Sequence, residues 1–206
     1  AAFIAEPVSG SGGVIVPPEG YFAGVQKLLR KYDILFIADE VICGFGRTGH
    51  MFGCETYHIK PDIMTVAKAL SSSYLPISAT IVSDEIHAAM MDQSRKLGVF
   101  AHGVTYSGHP VCAAVAVETL KIYEERDIVE HVKQVSKRFQ QRLNALAERP
   151  NVGEARGVGL IGAVELVSDK NTKAPFAPEL AVGPGIQARA MENGVIVRAL
   201  RDIIAF

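Results

Sequence analysis

No stretch of this chain is apolar for the roughly 18 residues that a membrane-spanning helix needs, so the sequence offers no such helix. Neither sign of charge dominates: 21 Lys and Arg stand against 22 Asp and Glu, a net charge of −1. That argues against the basic footprint of a nucleic-acid or membrane-surface binder. Cysteine is scarce, with three residues, an odd number, and no CxxC spacing. A disulfide framework is therefore not expected, and reduced thiols in a cytoplasmic compartment are the simplest reading. Cys54 and His58 are four apart and His102 and His109 seven apart, but no set of three has ligand spacing, so no metal is expected. A G-x-S-x-G nucleophile elbow is missing, and no internal repeat is visible.

What is present is enough apolar material, 49% of 206 residues, to bury a core in one large domain or two small ones. The stretch from Ile34 to Lys68 organises the rest. Ile34 to Ala38 is continuously apolar and leads into Asp39 and Glu40. A glycine loop follows, Gly44 to Gly49, and then a second apolar run from Asp62 to Ala67 that ends on Lys68. Continuous rather than alternating runs read as strands buried on both faces. Strands that deliver an acid and a lysine at their ends are costly unless those charges pair or do chemistry.

Residues 2–5 read as another such strand, leading to Glu6 and a glycine-rich turn at 9–13. Pro17-Pro18-Glu19 opens a helix running to about Tyr32, with Phe22, Val25, Leu28 and Leu29 on one face. Strand, helix and strand in succession favour a parallel, helix-flanked sheet. Residues 54–58 suit a short turn or helix, 77–82 a strand, and Ser83 caps a helix. The polar, glycine-containing segment 93–108 reads as a loop carrying His102, Thr105 and Ser107. A helix is expected over Pro110–Glu125. A second, capped by Asp127 and ended by Pro150, carries Ile128, Val132, Val135, Phe139, Leu143 and Leu146 at helical spacing. Beyond it come Gly-rich strands from Gly157 to Val167, a helix over 182–193, and strands over 195–199 and 202–206. The division expected is a large domain, 1–120, and a smaller α+β domain, 121–206. Both ends read as strands under way, so the 206 residues are expected to be part of a longer chain.

Each candidate side chain has two readings. Lys68 could snorkel to water along its own stem. Desolvated beside the small residues Ala69 and Ser71 to Ser73, it would instead be a nucleophile toward aldehydes, the requirement for a Schiff base. Asp39 could simply cap or pair after its strand. Alternatively it could hold a ring nitrogen protonated, as pyridoxal phosphate requires of its pyridine. Successive parallel strands turn their carboxyl ends to one crevice, which would bring the two together. Gly44 to Gly49 matches G-x-G-x-x-G, but no strand leads straight into it and no good helix former follows, so a dinucleotide site is rejected. Thr105 suits a hydroxyl-rich turn or a phosphate contact. Arg198, at the end of an apolar strand, suits a substrate carboxylate or an ion pair with Asp202.

Three strings carry a family resemblance: Asp39 to Gly49, Pro61 to Leu70, and Thr105 to Pro110. In that order and spacing they resemble the class III aminotransferases, fold-type I enzymes that depend on pyridoxal phosphate. The resemblance covers essentially the whole chain. It implies that Lys68 carries the cofactor as a Schiff base and moves the substrate proton. By the same resemblance Asp39 pairs with the pyridine nitrogen, Val41 packs on the ring face, and Glu6 lies near the cofactor. Thr105 would bind the phosphate of the neighbouring subunit's cofactor, which implies a homodimer, or a tetramer of dimers, with shared sites. Relatives acting on ornithine or γ-aminobutyrate usually carry, at the position of Ser11, a glutamate that switches the active-site arginine. Arg198 instead matches the mobile arginine of amine:pyruvate-type members. Ser73 departs from the glycine frequent there. The function implied is transfer of an amino group from an amine or ω-amino acid to an α-keto acid, pyruvate above all. A decarboxylase, racemase or aminomutase on the same scaffold is the alternative, and a cofactor-free dinucleotide module on the Gly44 loop would be a different class altogether.

Overall fold

Where a helix separates two apolar runs the strands can pair side by side in the same direction, and a computed structural model describing residues 1–206 shows this. Strands β1 (Ala2–Ala5), β2 (Leu35–Asp39) and β3 (Ile63–Val66) are parallel neighbours. The register sets Phe3 beside Phe36 and Asp39 beside Thr65. Strand β4 (Ala79–Val82) closes the edge antiparallel to β3.

These strands are not buried on both faces. Phe36 and Ala38 are buried with Phe22, Leu29, Cys54 and Ile59, and Phe3 and Met64 pack beside them. The opposite face leaves Ile4 58% and Leu35 39% exposed. Continuous apolarity thus supplied two apolar faces, of which these residues cover one.

The crossover helix α1 (Tyr21–Lys31) starts later than Pro17, after Gly20 at φ 78°. Its inner face is Phe22, Gln26 and Leu29, one stripe at four- and three-residue steps, while Leu28 is 57% exposed. Gln26 is tolerated inside because it is satisfied. Its amide donates to the Phe22 and His58 carbonyls, each at 3.2 Å, and its oxygen accepts the Lys60 N–H at 2.9 Å.

Helix α2 (Gly53–Thr56) follows the glycine loop. Helix α3 (Asp84–Leu97) is capped by Ser83, whose Oγ accepts the Ile86 N–H at 3.4 Å. It runs through residues 93–97, expected as loop, and ends where Gly98 turns left-handed at φ 73°. Helix α4 (Pro110–Glu125) has the expected bounds. Helix α5 (Ile128–Leu146) ends before Pro150, and Asp127 precedes it at φ 46° without a side-chain cap. No helix is long and apolar enough to cross a membrane.

The second sheet is antiparallel, in the order β5 (Val152–Val158), β6 (Ile161–Leu166), β8 (Ile203–Ala205), β7 (Arg198–Leu200). Helix α6 (Val182–Glu192) packs beside it, and Leu143 of α5 joins Val164, Leu166, Val197 and Ile204 in its core. Strand β5 begins before Gly157, and β7 begins rather than ends at Arg198. Val195 and Ile196 therefore lie outside the ladder.

The hairpin between β5 and β6 presses on the glycine loop. Gly159 sits at φ +58°, and a Cβ there would lie 2.4 Å from the Arg47 carbonyl oxygen, which accepts the Leu160 N–H at 2.9 Å. Gly185 in α6 has nothing within 4 Å of a built Cβ. Gly159→Ala should therefore cost more than about 1 kcal/mol of stability, and Gly185→Ala should add about 0.5–1 kcal/mol, read from denaturant midpoints. Equal effects would contradict this packing.

Candidate active site

Two consecutive carboxylates leave β2 toward opposite sides, because neighbouring strand residues face opposite ways. Glu40 is fully buried, and its two oxygens accept the N–H groups of Gly53 at 2.9 Å and Cys54 at 2.6 Å. Asp39 is half-buried; its Oδ1 accepts the Val41 N–H at 3.0 Å, and its Oδ2 takes no hydrogen bond within the chain. With Glu6, Pro7, Ser9, Ile15 and Val16, Asp39 lines a cleft of about 610 Å³. Glu6 braces the glycine-rich turn there, its Oε2 accepting the Gly10 N–H at 2.9 Å. Val41, half-buried, follows on the same stretch of chain.

Lys68 opens a 3-10 turn, Lys68–Ser71, with φ +46°. Asp39 pairs with Thr65, and Lys68 follows two residues after β3 ends at Val66, toward the same carboxyl end of the parallel strands. The Glu40 N–H donates to the Thr65 carbonyl at 2.9 Å and holds the two strand ends together. Lys68 is exposed, not desolvated as expected, since the chain has already left the sheet after Val66. It lines its own shallow cleft of about 340 Å³ with Ser71, Ser73, Tyr74 and Leu75.

Thr105 and Arg198 stand apart. Thr105 lies in the exposed loop 98–108, where Ser107 Oγ accepts the Val104 N–H at 3.2 Å. Arg198 is exposed at the start of edge strand β7 and makes no ion pair. The pairing with Asp202 does not form; Asp202 Oδ1 instead accepts the Gly183 N–H at 3.1 Å.

The Gly44–Gly49 loop serves packing. Phe45, Gly46 and Gly49 all have positive φ. Gly46 and Gly49, both at φ +94°, supply the left-handed backbone that turns the loop against Val129, Val132 and Lys133 of α5. Sequence reasoning did not single out Glu40 as the internal cap: nothing local distinguishes it from Asp39, and only the return of residues 53 and 54 decides which acid is buried.

The donor set suits pyridoxal phosphate on these observations. A carboxylate with one free oxygen and an amine two residues past the end of the adjacent strand are the groups that a pyridine nitrogen and an aldehyde require.

Burial sets two thiols, Cys43 and Cys54, and two phenols, Tyr57 and Tyr123, against ionisation. Desolvation pushes Cys43 up to about 12 and Tyr57 up to about 12. Cys54 is raised first by burial and then by the Glu40 carboxylate. A raised folded-state pKa favours folding below the group's ordinary value, near 9 for a thiol, and that contribution is lost as pH rises toward the folded value. Stability should therefore fall from pH 9 toward 12, and iodoacetamide at pH 8 should leave Cys43 and Cys54 unmodified until the protein is denatured. Peptide mass mapping checks this, and labelling of either thiol in the native state would contradict it.

The family model described as Aminotransferase class-III matches residues 1–206. A "Gamma aminobutyrate transaminase 3, chloroplastic" of Solanum lycopersicum is 58% identical over 99% of this chain and 39% of its own length. A "Gamma aminobutyrate transaminase 1, mitochondrial" of the same species is 55% identical over 99% of this chain and 40% of its own. Among solved structures, one described as "Transaminase with L-ala" superposes with a TM-score of 0.98 at 53% identity, covering 100% of this chain and 49% of that one. The chain thus spans about two fifths of the length of the curated relatives it matches.

Proposed function

Because the chain belongs to the class III aminotransferases, fold-type I enzymes that use pyridoxal phosphate, we propose that the protein it comes from is a transaminase. It moves an amino group from an amine or ω-amino acid to an α-keto acid, with pyruvate as the acceptor. The observation that supports this reading is the free Oδ2 of Asp39 at the end of β2, with Lys68 two residues past the end of the neighbouring parallel strand β3. Tomato relatives named for γ-aminobutyrate support an ω-amino acid donor, and a structural neighbour described with L-Ala supports the alanine–pyruvate pair.

Pyridoxal phosphate, when bound, supplies an electron sink that acidifies the donor's Cα–H. Lys68 would hold the cofactor through its Nζ, and the same amine would take the proton from Cα. Asp39 would offer Oδ2, which takes no hydrogen bond within the chain, to the pyridine N–H. Val41 would pack on the ring face, and Glu6 lines the cleft with Asp39. The Thr105 hydroxyl takes the phosphate of the partner subunit's site. Arg198 binds the carboxylate of the keto acid through its planar guanidinium.

This requires a homodimer, or a tetramer of dimers, with shared sites. Exposed apolar side chains at Tyr74, Val104 and Tyr106 support a partner surface around the lysine and Thr105 loops. We take residues 1–120 as part of the cofactor-binding domain and 121–206 as part of the small domain. The packing of α4 on the lysine turn and of α5 on the second sheet supports a division near these helices. The ligands are small amines and keto acids. Three free thiols support a reducing compartment, which we read as the cytoplasm, although relatives are named for the chloroplast and the mitochondrion.

In the full-length enzyme Lys68→Ala should cut turnover by more than about 1,000-fold, and Asp39→Asn by about 100-fold. Borohydride should fix the cofactor on the peptide containing Lys68. Retained turnover in Lys68→Ala sinks the reading. Arg198→Ala should raise the KM for pyruvate about 30-fold, the loss expected of a charged hydrogen-bonded pair, and leave the KM for a carboxylate-free amine within twofold. Steady-state kinetics with both substrates varied separates the two, and an equal change in both would remove Arg198 from the keto-acid site.

A further inference from the structure

The turn that carries Lys68 holds three non-glycine residues in left-handed backbone within six positions, with φ +46° at Lys68, +50° at Ser72 and +63° at Ser73. Each bears the steric penalty of a Cβ in that region, so the turn needs support from outside itself. Its own bonds are local. Leu70 N–H donates to Ala67 at 3.0 Å, Ser72 N–H to Ala69 at 3.1 Å, and Ser71 Oγ to Leu75 at 2.6 Å. One hydrogen bond ties it to a distant element: Tyr123 Oη, 54 residues away on α4, donates to the Ala69 carbonyl at 2.6 Å. That carbonyl then serves two donors, the Ser72 N–H and the Tyr123 hydroxyl.

The hydroxyl is aimed by apolar packing. The Tyr123 ring lies 6.0 Å from Phe45, which is 5.5 Å from Phe52. Phe45, Val66, Leu70 and Ala116 form a buried cluster against which Tyr123 and Ala69 pack. A phenol, ordinarily near 10, is protonated and a donor at neutral pH, and burial raises it further.

We propose that Tyr123 is a positioning residue for Lys68. By clamping the carbonyl one residue beyond the lysine, its hydroxyl fixes the turn from which Nζ works. Proton transfer at substrate Cα then depends on a side chain that acts only through the turn. The catalytic half of this inference rests on the transaminase reading; the structural half does not.

In the full-length enzyme, Tyr123→Phe removes one oxygen and keeps the ring against Phe45. Amide hydrogen exchange at residues 70–74 should speed about tenfold, with the second sheet unchanged. The single-turnover rate of the amine half-reaction should fall about tenfold, with the amine KM within twofold. Phe45→Leu disturbs the ring contact and keeps the hydroxyl, and should reproduce neither local effect in full. Repeating the exchange measurement in a Lys68→Ala background reads turn protection without turnover. Wild-type exchange at residues 70–74 in Tyr123→Phe overturns the proposal, as does faster exchange with an unchanged half-reaction rate. Turnover by Lys68→Ala would sink the transaminase reading and leave the anchor standing.

Discussion

A carboxylate shut away from water must find its partners inside the protein, and Glu40 finds two in the backbone N–H groups of Gly53 and Cys54. Much of the site follows from that closure. The chain has to leave β2, turn through residues 41–52 and come back to the point where it left. Gly44 is needed on the way, since its N–H bonds the Glu40 carbonyl at 2.9 Å and a Cβ would sit equally close to that oxygen. The neighbouring Asp39 then faces the opposite way, into the cleft with Glu6. One acid is spent on the fold and the next is left free for a ligand.

The second sheet also shapes that cleft. Arg156 on β5 is only 12% exposed in its side chain and bonds Glu154 and Glu165. It also donates to the carbonyls of Gly13 and Val14, at 2.9 to 3.2 Å. Those carbonyls belong to the turn whose base Glu6 holds. A partly buried ion pair is weak evidence of stability in itself. Its directional bonds to backbone, however, set where the turn lies. Residues on opposite halves of the chain thus hold one turn beside the cleft, and the same sheet carries Arg198.

Reading by periodicity succeeded where a helix has one long apolar stripe, as in α5, and where a proline marks its first turn, as in α4. It misplaced α1, because Pro17 and Pro18 precede a left-handed Gly20, and it missed Gln26, whose burial depends on carbonyls and N–H groups from the loop before β3. The aspartate was legible as the end of one strand and the lysine as close to the end of its parallel neighbour, although β3 stops at Val66, two residues short of Lys68. The exposure of Lys68 was not legible, because it depends on how far past Val66 the chain travels before turning.

The order of residues alone determined the local chemistry: an acid and a lysine after apolar runs, glycines where the backbone must open, and helices where apolar spacing repeats. These are properties of neighbours along the chain. Only the tertiary structure decided which of two adjacent carboxylates is buried, which tyrosine reaches the Ala69 carbonyl, and which arginine braces the Glu6 turn. Those choices join groups 13 to 143 residues apart, where no local preference can see the partner.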